Sequence, residues 1–225
     1  MSELTYAIGD IHGCADALTR LLARIDEHRR GRAARIVCLG DYVDRGPDSA
    51  GVIRILRARA ADEPGTLICL RGNHEQMMLD AYRDALAAPV WLENGGRETL
   101  HAFGIDDPEA LPHDVLAWLS ALPTVHEDDH RYYVHAGFRP GRRGIDPDVA
   151  TRLWIREPFL GTPFDFGKHV IHGHTPRRDG APDRRPHRTN LDTACVYGET
   201  LTAAILHADD RAPAAFLQVP RDAVG

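Results

Sequence analysis

The residues of this chain best suited to chemistry gather in short glycine-containing stretches: GDIHG at 9–13, GDYVDRG at 40–46, GNHE at 72–75, HAG at 135–137 and HGHT at 172–175. Carboxylate oxygen and imidazole nitrogen together suit hard or borderline divalent ions such as Mn²⁺, Fe²⁺ and Zn²⁺. Asp10 and His12 are two apart, so an extended or looped backbone lets both reach one ion. Asp41 can bridge to a second ion held by Asn73, His135 and His174, in the manner of metal pairs roughly 3.5–4 Å apart. Such a pair generates a bridging hydroxide near neutral pH and clamps phosphate oxygens through an in-line displacement, with no covalent nucleophile. His74 is placed to protonate a leaving oxygen, and Asp44 to orient its ring and favour the imidazolium. Arg45 and Arg156 can fork onto non-bridging phosphate oxygens.

Positioning these groups requires elements that end where the motifs begin. Leu4–Ile8 is a β-type run ending at GDIHG, and Ala15–Arg29 follows with helical spacing of Leu18, Leu21, Leu22 and Ile25. An apolar run at 36–39 leads into GDYVDRG, and a helix is expected to start at Pro47-Asp48-Ser49. A third run at 67–70 leads through GNHE into another helix. Three βα units thus deliver polar residues to the carboxyl ends of strands, where α/β sheets bind ligands. Residues 88–124 read as a helical, cap-like insert with a turn at Trp91–Gly96. Short strand-like runs follow at 131–134, 168–171, 189–191, 201–206 and 214–219, with no strong helix between the later ones and a loop at 176–188 expected to be mobile. A second sheet packed on the first is the simplest way to use these runs.

At 225 residues and 43% hydrophobic the chain can bury the core of a single domain, 1–225. No run is long enough for a membrane span and the N-terminus does not read as a signal peptide, so a cytoplasmic location is expected. The four cysteines lack metal-site spacing and read as reduced core residues, which disfavours a zinc–thiolate centre. A net charge of −6 disfavours nucleic acid or an acidic membrane as partner. The 13 histidines raise the expectation of a metal site.

In this order, GDIHG, GDYVDRG, GNHE, HAG and GHT resemble the signature of the calcineurin-like metallophosphoesterases, and within them the phosphoprotein phosphatases. Trp154-Ile155-Arg156-Glu157 and Asn190-Leu191-Asp192-Thr193 are similar to segments of bacterial and phage members such as lambda phosphatase; the symmetrical diadenosine tetraphosphatases share the motifs. The resemblance spans residues 8–206 and implies an α/β, four-layer αββα sandwich of two mixed sheets flanked by helices, with a dinuclear metal site. It assigns Asp10, His12 and Asp41 to one ion, and Asp41, Asn73, His135 and His174 to the other. His74 with Asp44 becomes the acid pair, Arg45 and Arg156 the phosphate clamp, and Asn73 a further substrate contact. Ala194 and Glu199 depart from glycines common in bacterial relatives.

The expected activity is metal-dependent hydrolysis of phosphomonoesters, first of all phosphoserine and phosphothreonine in proteins, with small phosphoesters also accepted. Mn²⁺ is favoured in assays, and Fe or Zn also fit. The alternative is a symmetrical dinucleoside tetraphosphate hydrolase, for which no aromatic pair stands out as a base pocket. A non-catalytic phosphate-binding protein is the remaining alternative. His172, two before His174, is expected to face away from the ligands. His101, His113, His126, His130, His187 and His207 read as surface residues. Asn94-Gly95-Gly96 reads as a turn, and Arg139, Arg142 and Arg143 as a solvated loop rather than a substrate rim.

Overall fold

In the computed structural model, which describes residues 4–221, β1 (Leu4–Ile8) lies in the middle of a five-stranded sheet with every residue buried. Its sequence LTYAI lacks polar alternation because helices cover one face and a second sheet covers the other. The period of two survives in what each side chain meets. Leu4, Tyr6 and Ile8 pack with the helices, and Ala7 packs toward the other sheet. In β2 (Ala34–Cys38), Ile36 and Cys38 likewise face the helices while Val37 faces inward. With β3 (Leu67–Cys69) these strands form a parallel trio. Helix α1 (Ala15–Arg29) buries Leu18, Leu21, Leu22 and Ile25, as its spacing predicts. Helix α2 (Ser49–Asp62) starts where the Asp48 side chain accepts the Gly51 N–H, and α3 (Asn73–Arg83) starts inside GNHE.

The second sheet contains β4 (Val125–Glu127), β5 (Arg131–Val134), β6 (His169–His172), β7 (Asp183–Arg184) and β8 (Arg188–Asn190), in the order β4-β5-β6-β8-β7. Tyr133, Ile171 and Leu191 on its inner side meet Ala7, Val37, Leu39, Leu70, Ala204 and Leu206 in one apolar layer. Burying a large side chain there contributes about 1.5–3 kcal/mol, against about 0–1 kcal/mol for a typical surface ion pair. The apolar layer therefore decides how the sheets sit. Phe138, Phe159 and Phe166 cover the outer side of Tyr132, Val134 and Val170.

Two sequence expectations are corrected. The runs at 201–206 and 214–219 do not join the second sheet: they form β9 (Thr200–His207) and β10 (Ala215–Pro220), which extend the first sheet in the order β10-β9-β1-β2-β3. Here β9 pairs antiparallel with β1, and its Leu201, Ala203 and Ile205 continue the helix-facing core. The segment 176–188 is not a simple loop, because β7 folds back on β8 as a hairpin. A short helix, α7 (Val149–Trp154), was not legible in the sequence pattern; the Asp148 side chain caps it through the N–H groups of Ala150 and Thr151.

The segment after α3 folds as α4 (Ala88–Trp91), a π-helical turn (Leu92–Gly96), α5 (Arg97–Phe103) and α6 (His113–Ala121). Of these, α5 packs on α2, and α4 and α6 pack on α3. All four cysteines are buried and unpaired. No helix among the described residues is long and apolar enough to cross a membrane. Of the histidines expected on the surface, His101 and His113 are exposed and His130, His187 and His207 are partly exposed, while half-buried His126 stacks on Tyr133 with ring centroids 5.7 Å apart.

His169, 2% exposed between the sheets, bonds through Nε2 to Thr189 Oγ1 at 2.9 Å. Burial first, and nearby arginines after it, bring its pKa down to about 4 from the ordinary 6.5. The folded state thus resists a proton that the unfolded chain accepts below 6.5. Stability contributed by neutral His169 is complete above pH 6.5 and falls by about 1.4 kcal/mol per pH unit as pH drops toward 4. Chemical denaturation from pH 7 to 4.5 is expected to show a smaller acid loss for His169→Gln than for the wild type; equal losses would show that His169 plays no part.

Candidate active site

The carboxyl ends of β1, β2, β5 and β6 lead into the loops that carry the predicted residues, and those loops are held in conformations that side chains rarely adopt. His12, Asp41, Asp44, Arg45 and His174 have φ values of 44°, 54°, 72°, 68° and 69°. Such left-handed backbone costs about 1–3 kcal/mol per residue. Glu75 offsets part of that cost around Asp41. Its buried carboxylate accepts the backbone N–H groups of Gly72 at 2.8 Å, Asp41 at 2.9 Å, Tyr42 at 2.7 Å and Val43 at 3.3 Å. Burial and the charge of Asp41 push the Glu75 pKa up to about 8, and the N–H bonds oppose the rise. The sequence reading gave Glu75 no role; its position three residues after Gly72, at the third residue of a helix, is the capping pattern that could have revealed it.

Around Asp41 the side chains meet as acceptors. His135 donates its Nδ1–H to Leu39 O at 3.1 Å, so its Nε2 presents a lone pair. That nitrogen lies 2.8 Å from Asn73 Oδ1, 3.2 Å from His174 Nδ1 and 3.4 Å from Asp41 Oδ1. His174 Nδ1 is in turn 2.9 Å from Asn73 Oδ1. On the other side, His12 donates Nδ1–H to Val43 O at 2.8 Å and turns Nε2 to Asp41 Oδ2 at 3.4 Å. Burial leads in pushing all three imidazole pKa values down, His12 far below the usual range and His135 to about 3, so these rings are neutral. The His135 Nε2 lone pair and the Asp41 carboxylate face one another without a proton and repel unless a cation lies among them. Two groups of three have ligand atoms all within 4.8 Å of one another, His12–Asp41–His74 and Asp41–His135–His174, and Asp41 belongs to both. The mixed O/N donor set fits Mn²⁺, Fe²⁺ or Zn²⁺.

Asp10 lies beside these groups rather than within them. Both of its oxygens accept the His174 N–H, at 3.2 and 3.0 Å. A Cβ at position 173 would come within 2.0 Å of Asp10 Oδ1, which explains the glycine there. Burial, then Asp192, then Asp41 raise the Asp10 pKa well above the carboxylate range, and burial also raises Asp192 to about 7. This concentration of buried carboxylates is a second reason for cations to bind. Asp192, 5% exposed, was not singled out from the sequence.

His74 Nδ1 bonds to Asp44 Oδ2 at 2.7 Å, as predicted. Asp44 is wholly buried and takes further bonds from Trp91 Nε1, at 3.0 Å to each oxygen, and from Thr99 Oγ1 at 2.7 Å. Trp91 and Thr99 come from the 88–124 segment, and nothing in their spacing from Asp44 signals the contact. Burial brings the His74 pKa down to about 4 and raises that of Asp44. The predicted turn at Asn94–Gly96 buttresses the site from behind. Gly95 (φ 110°) accepts the Arg45 N–H at 3.2 Å, and a Cβ there would come within 2.6 Å of Arg45 N.

Arg45 Nη1 lies 2.9 Å from His12 Nε2, and exposed Arg156 contributes its charge to Asp41, His135 and His174. His172 faces away, its ring against Phe159 at 4.9 Å. Arg139 bonds to Thr151 and Arg143 to Asp165, so these side chains are tied into their own loop. Two exposed aromatic rings stand at the rim: Trp154, 45% exposed and 6.2 Å from the His174 ring, and Tyr197, 41% exposed beside Arg45.

The chain matches the family model for calcineurin-like phosphoesterases over residues 5–208. It is 32% identical over 213 residues to serine/threonine-protein phosphatase 1 of Salmonella typhimurium, covering 88% of this chain and 90% of the relative. It is 27% identical over 223 residues to an asymmetrical bis(5'-nucleosyl)-tetraphosphatase of Bacillus subtilis, covering 87% of each. A crystal structure of a putative diadenosine tetraphosphatase superposes with a TM-score of 0.69 at 25% identity, covering 96% of this chain and 93% of that one. Coverage of nearly the whole sandwich, together with the acceptor cluster at its strand ends, places the chain in the calcineurin-like phosphoesterase family.

Proposed function

We propose that the protein is a two-metal phosphomonoesterase whose substrates are phosphoserine and phosphothreonine side chains of proteins. The observation that carries this reading is the position of Asp41, each of whose carboxylate oxygens faces an unprotonated imidazole nitrogen at 3.4 Å. A carboxylate shared by two cations needs that arrangement. Asp10, His12 and Asp41 would hold one ion, and Asp41, Asn73, His135 and His174 the other. When bound, the ions supply an acidified water and positive charge for phosphate oxygens.

The remaining steps belong to the chain's own groups. Arg45 and Arg156 orient the phosphoryl group and offset the charge that grows on its oxygens. His74 uses Nδ1 to hold Asp44, which leaves Nε2 to give a proton to the leaving alkoxide. A phosphate dianion beside the ring favours the imidazolium, because a nearby negative charge raises an imidazole pKa. The bonds from Trp91 and Thr99 fix the ring's orientation through Asp44.

The name and full-length match of the Salmonella relative support the protein-phosphatase choice. A second reading, hydrolysis of dinucleoside tetraphosphates, is favoured by the exposed rings of Trp154 and Tyr197, which could stack on bases, and by the name of the Bacillus relative.

Chelation of the purified protein is expected to abolish hydrolysis of p-nitrophenyl phosphate and added Mn²⁺ to restore it, with Asp41→Asn among the most damaging single changes; full activity in metal-free protein would sink the two-metal reading. His74→Asn is expected to keep metal binding and lower kcat by about 10²–10⁴, with less loss for nitrophenyl than for phenyl phosphate. Equal losses for the two substrates would remove His74 from the acid role. Steady-state comparison of phosphopeptides with diadenosine tetraphosphate is expected to favour the peptides in kcat/KM, and a tenfold preference for the dinucleotide would establish the second reading instead.

A further inference from the structure

Tyr197 closes the 3₁₀ turn Cys195–Tyr197, and its exposed ring serves two guanidinium groups. The Arg45 guanidinium carbon lies 5.9 Å from the ring centroid and that of Arg178 lies 3.9 Å away. Arg178 is exposed on a turn pinned to the site: the preceding N–H, of Arg177, bonds to Asp192 O at 2.8 Å, and the Gly180 N–H returns to Arg177 O at 3.0 Å. The following carboxylate, Asp179, is taken by Arg177 at 2.6 Å. Arg178 itself makes no hydrogen bond or ion pair among the described residues, and its guanidinium lies over the Tyr197 ring. Stacking of this kind holds a guanidinium at a cost of only one face. Its N–H groups, which lie in the guanidinium plane, stay available for a planar oxyanion. Ala194, which caps the same turn, has φ 59°, a left-handed conformation that strains a non-glycine residue.

We propose that Arg178 and Tyr197 form a subsite for a second oxyanion of the substrate, beside the scissile phosphate on its Arg45 side. The proposal rests on the phosphoesterase reading and adds a preference to it. Substrates that carry another negative group next to the reacting phosphate bind better than isolated phosphomonoesters. That group is either the next phosphate of a polyphosphate chain or the carboxylate of an acidic residue beside a phosphorylated one, and the chemistry of recognition is the same.

Calorimetric titration of the Mn²⁺-loaded protein with orthophosphate and with inorganic tripolyphosphate gives two dissociation constants for each variant. Chelation of Mn²⁺ by tripolyphosphate in solution is common to all variants and cancels in the comparison. Arg178→Ala is expected to weaken tripolyphosphate about tenfold more than orthophosphate, the usual worth of a charge-assisted hydrogen bond. Tyr197→Ala should follow it and Tyr197→Phe, which keeps the ring, should stay with the wild type. Arg54→Ala removes a charge from the exposed side of α2 and controls for net charge. A second arm compares kcat/KM for phosphoserine peptides with glutamate or glutamine after the phosphoserine; loss of the glutamate advantage in Arg178→Ala identifies the carboxylate as the source. If Arg178→Ala stays within twofold of the wild type in both arms, the subsite is overturned. If instead the wild type hydrolyses no phosphomonoester, the phosphoesterase reading falls while the calorimetric ratio still decides the subsite.

Discussion

Around Asp41 the fold brings together groups that repel. Three neutral imidazoles, the Asn73 amide oxygen and a shared carboxylate converge in a volume from which water is largely excluded. In such surroundings an unpaired acceptor costs about 1–3 kcal/mol, and the left-handed backbone of five site residues adds to that. The cluster persists because several of its groups are committed elsewhere: His135 to Leu39, His12 to Val43, the Asp41 backbone to Glu75. The His135 and His12 rings are thereby kept from turning away to find better partners, so the frustration is stored for a cation.

That arrangement is possible only because two sheets end at the same edge. The apolar layer of Ala7, Val37, Leu39, Leu70, Tyr133, Ile171, Leu191, Ala204 and Leu206 sets the distance between them. Leu39 illustrates the economy of the design, since its side chain lies in that layer while its carbonyl accepts the His135 Nδ1–H from across the interface. Packing and ligand orientation are thereby coupled in a single residue.

Much of this was legible in the sequence. The motifs carry their chemistry in adjacent residues, and the first three strands and helices have clean periodicity, so α1 could be bounded at Ala15–Arg29 and the His74–Asp44 contact anticipated. What escaped were relations between distant segments. The strand periodicity of 201–206 is the same whichever sheet it joins, and only the register with β1 places it in the first. The bonds of Trp91 and Thr99 to Asp44 span 47 and 55 residues and leave no trace in local pattern. The burial of His74 and Asp44 escaped too, because sequence gives the partner of a titrating group but not its exclusion from water.

The two sides of the acceptor cluster belong to different sheets. Asp41 and Asn73 follow strands of the first, while His135 and His174 follow β5 and β6 of the second. A cation seated among them is a rivet through the open end of the sandwich, joining layers whose shared core is apolar. Occupancy then governs mechanics as well as chemistry. The filled site makes the two sheets one rigid plate at their carboxyl edge, and the emptied site leaves that seam the natural line along which the molecule can spread.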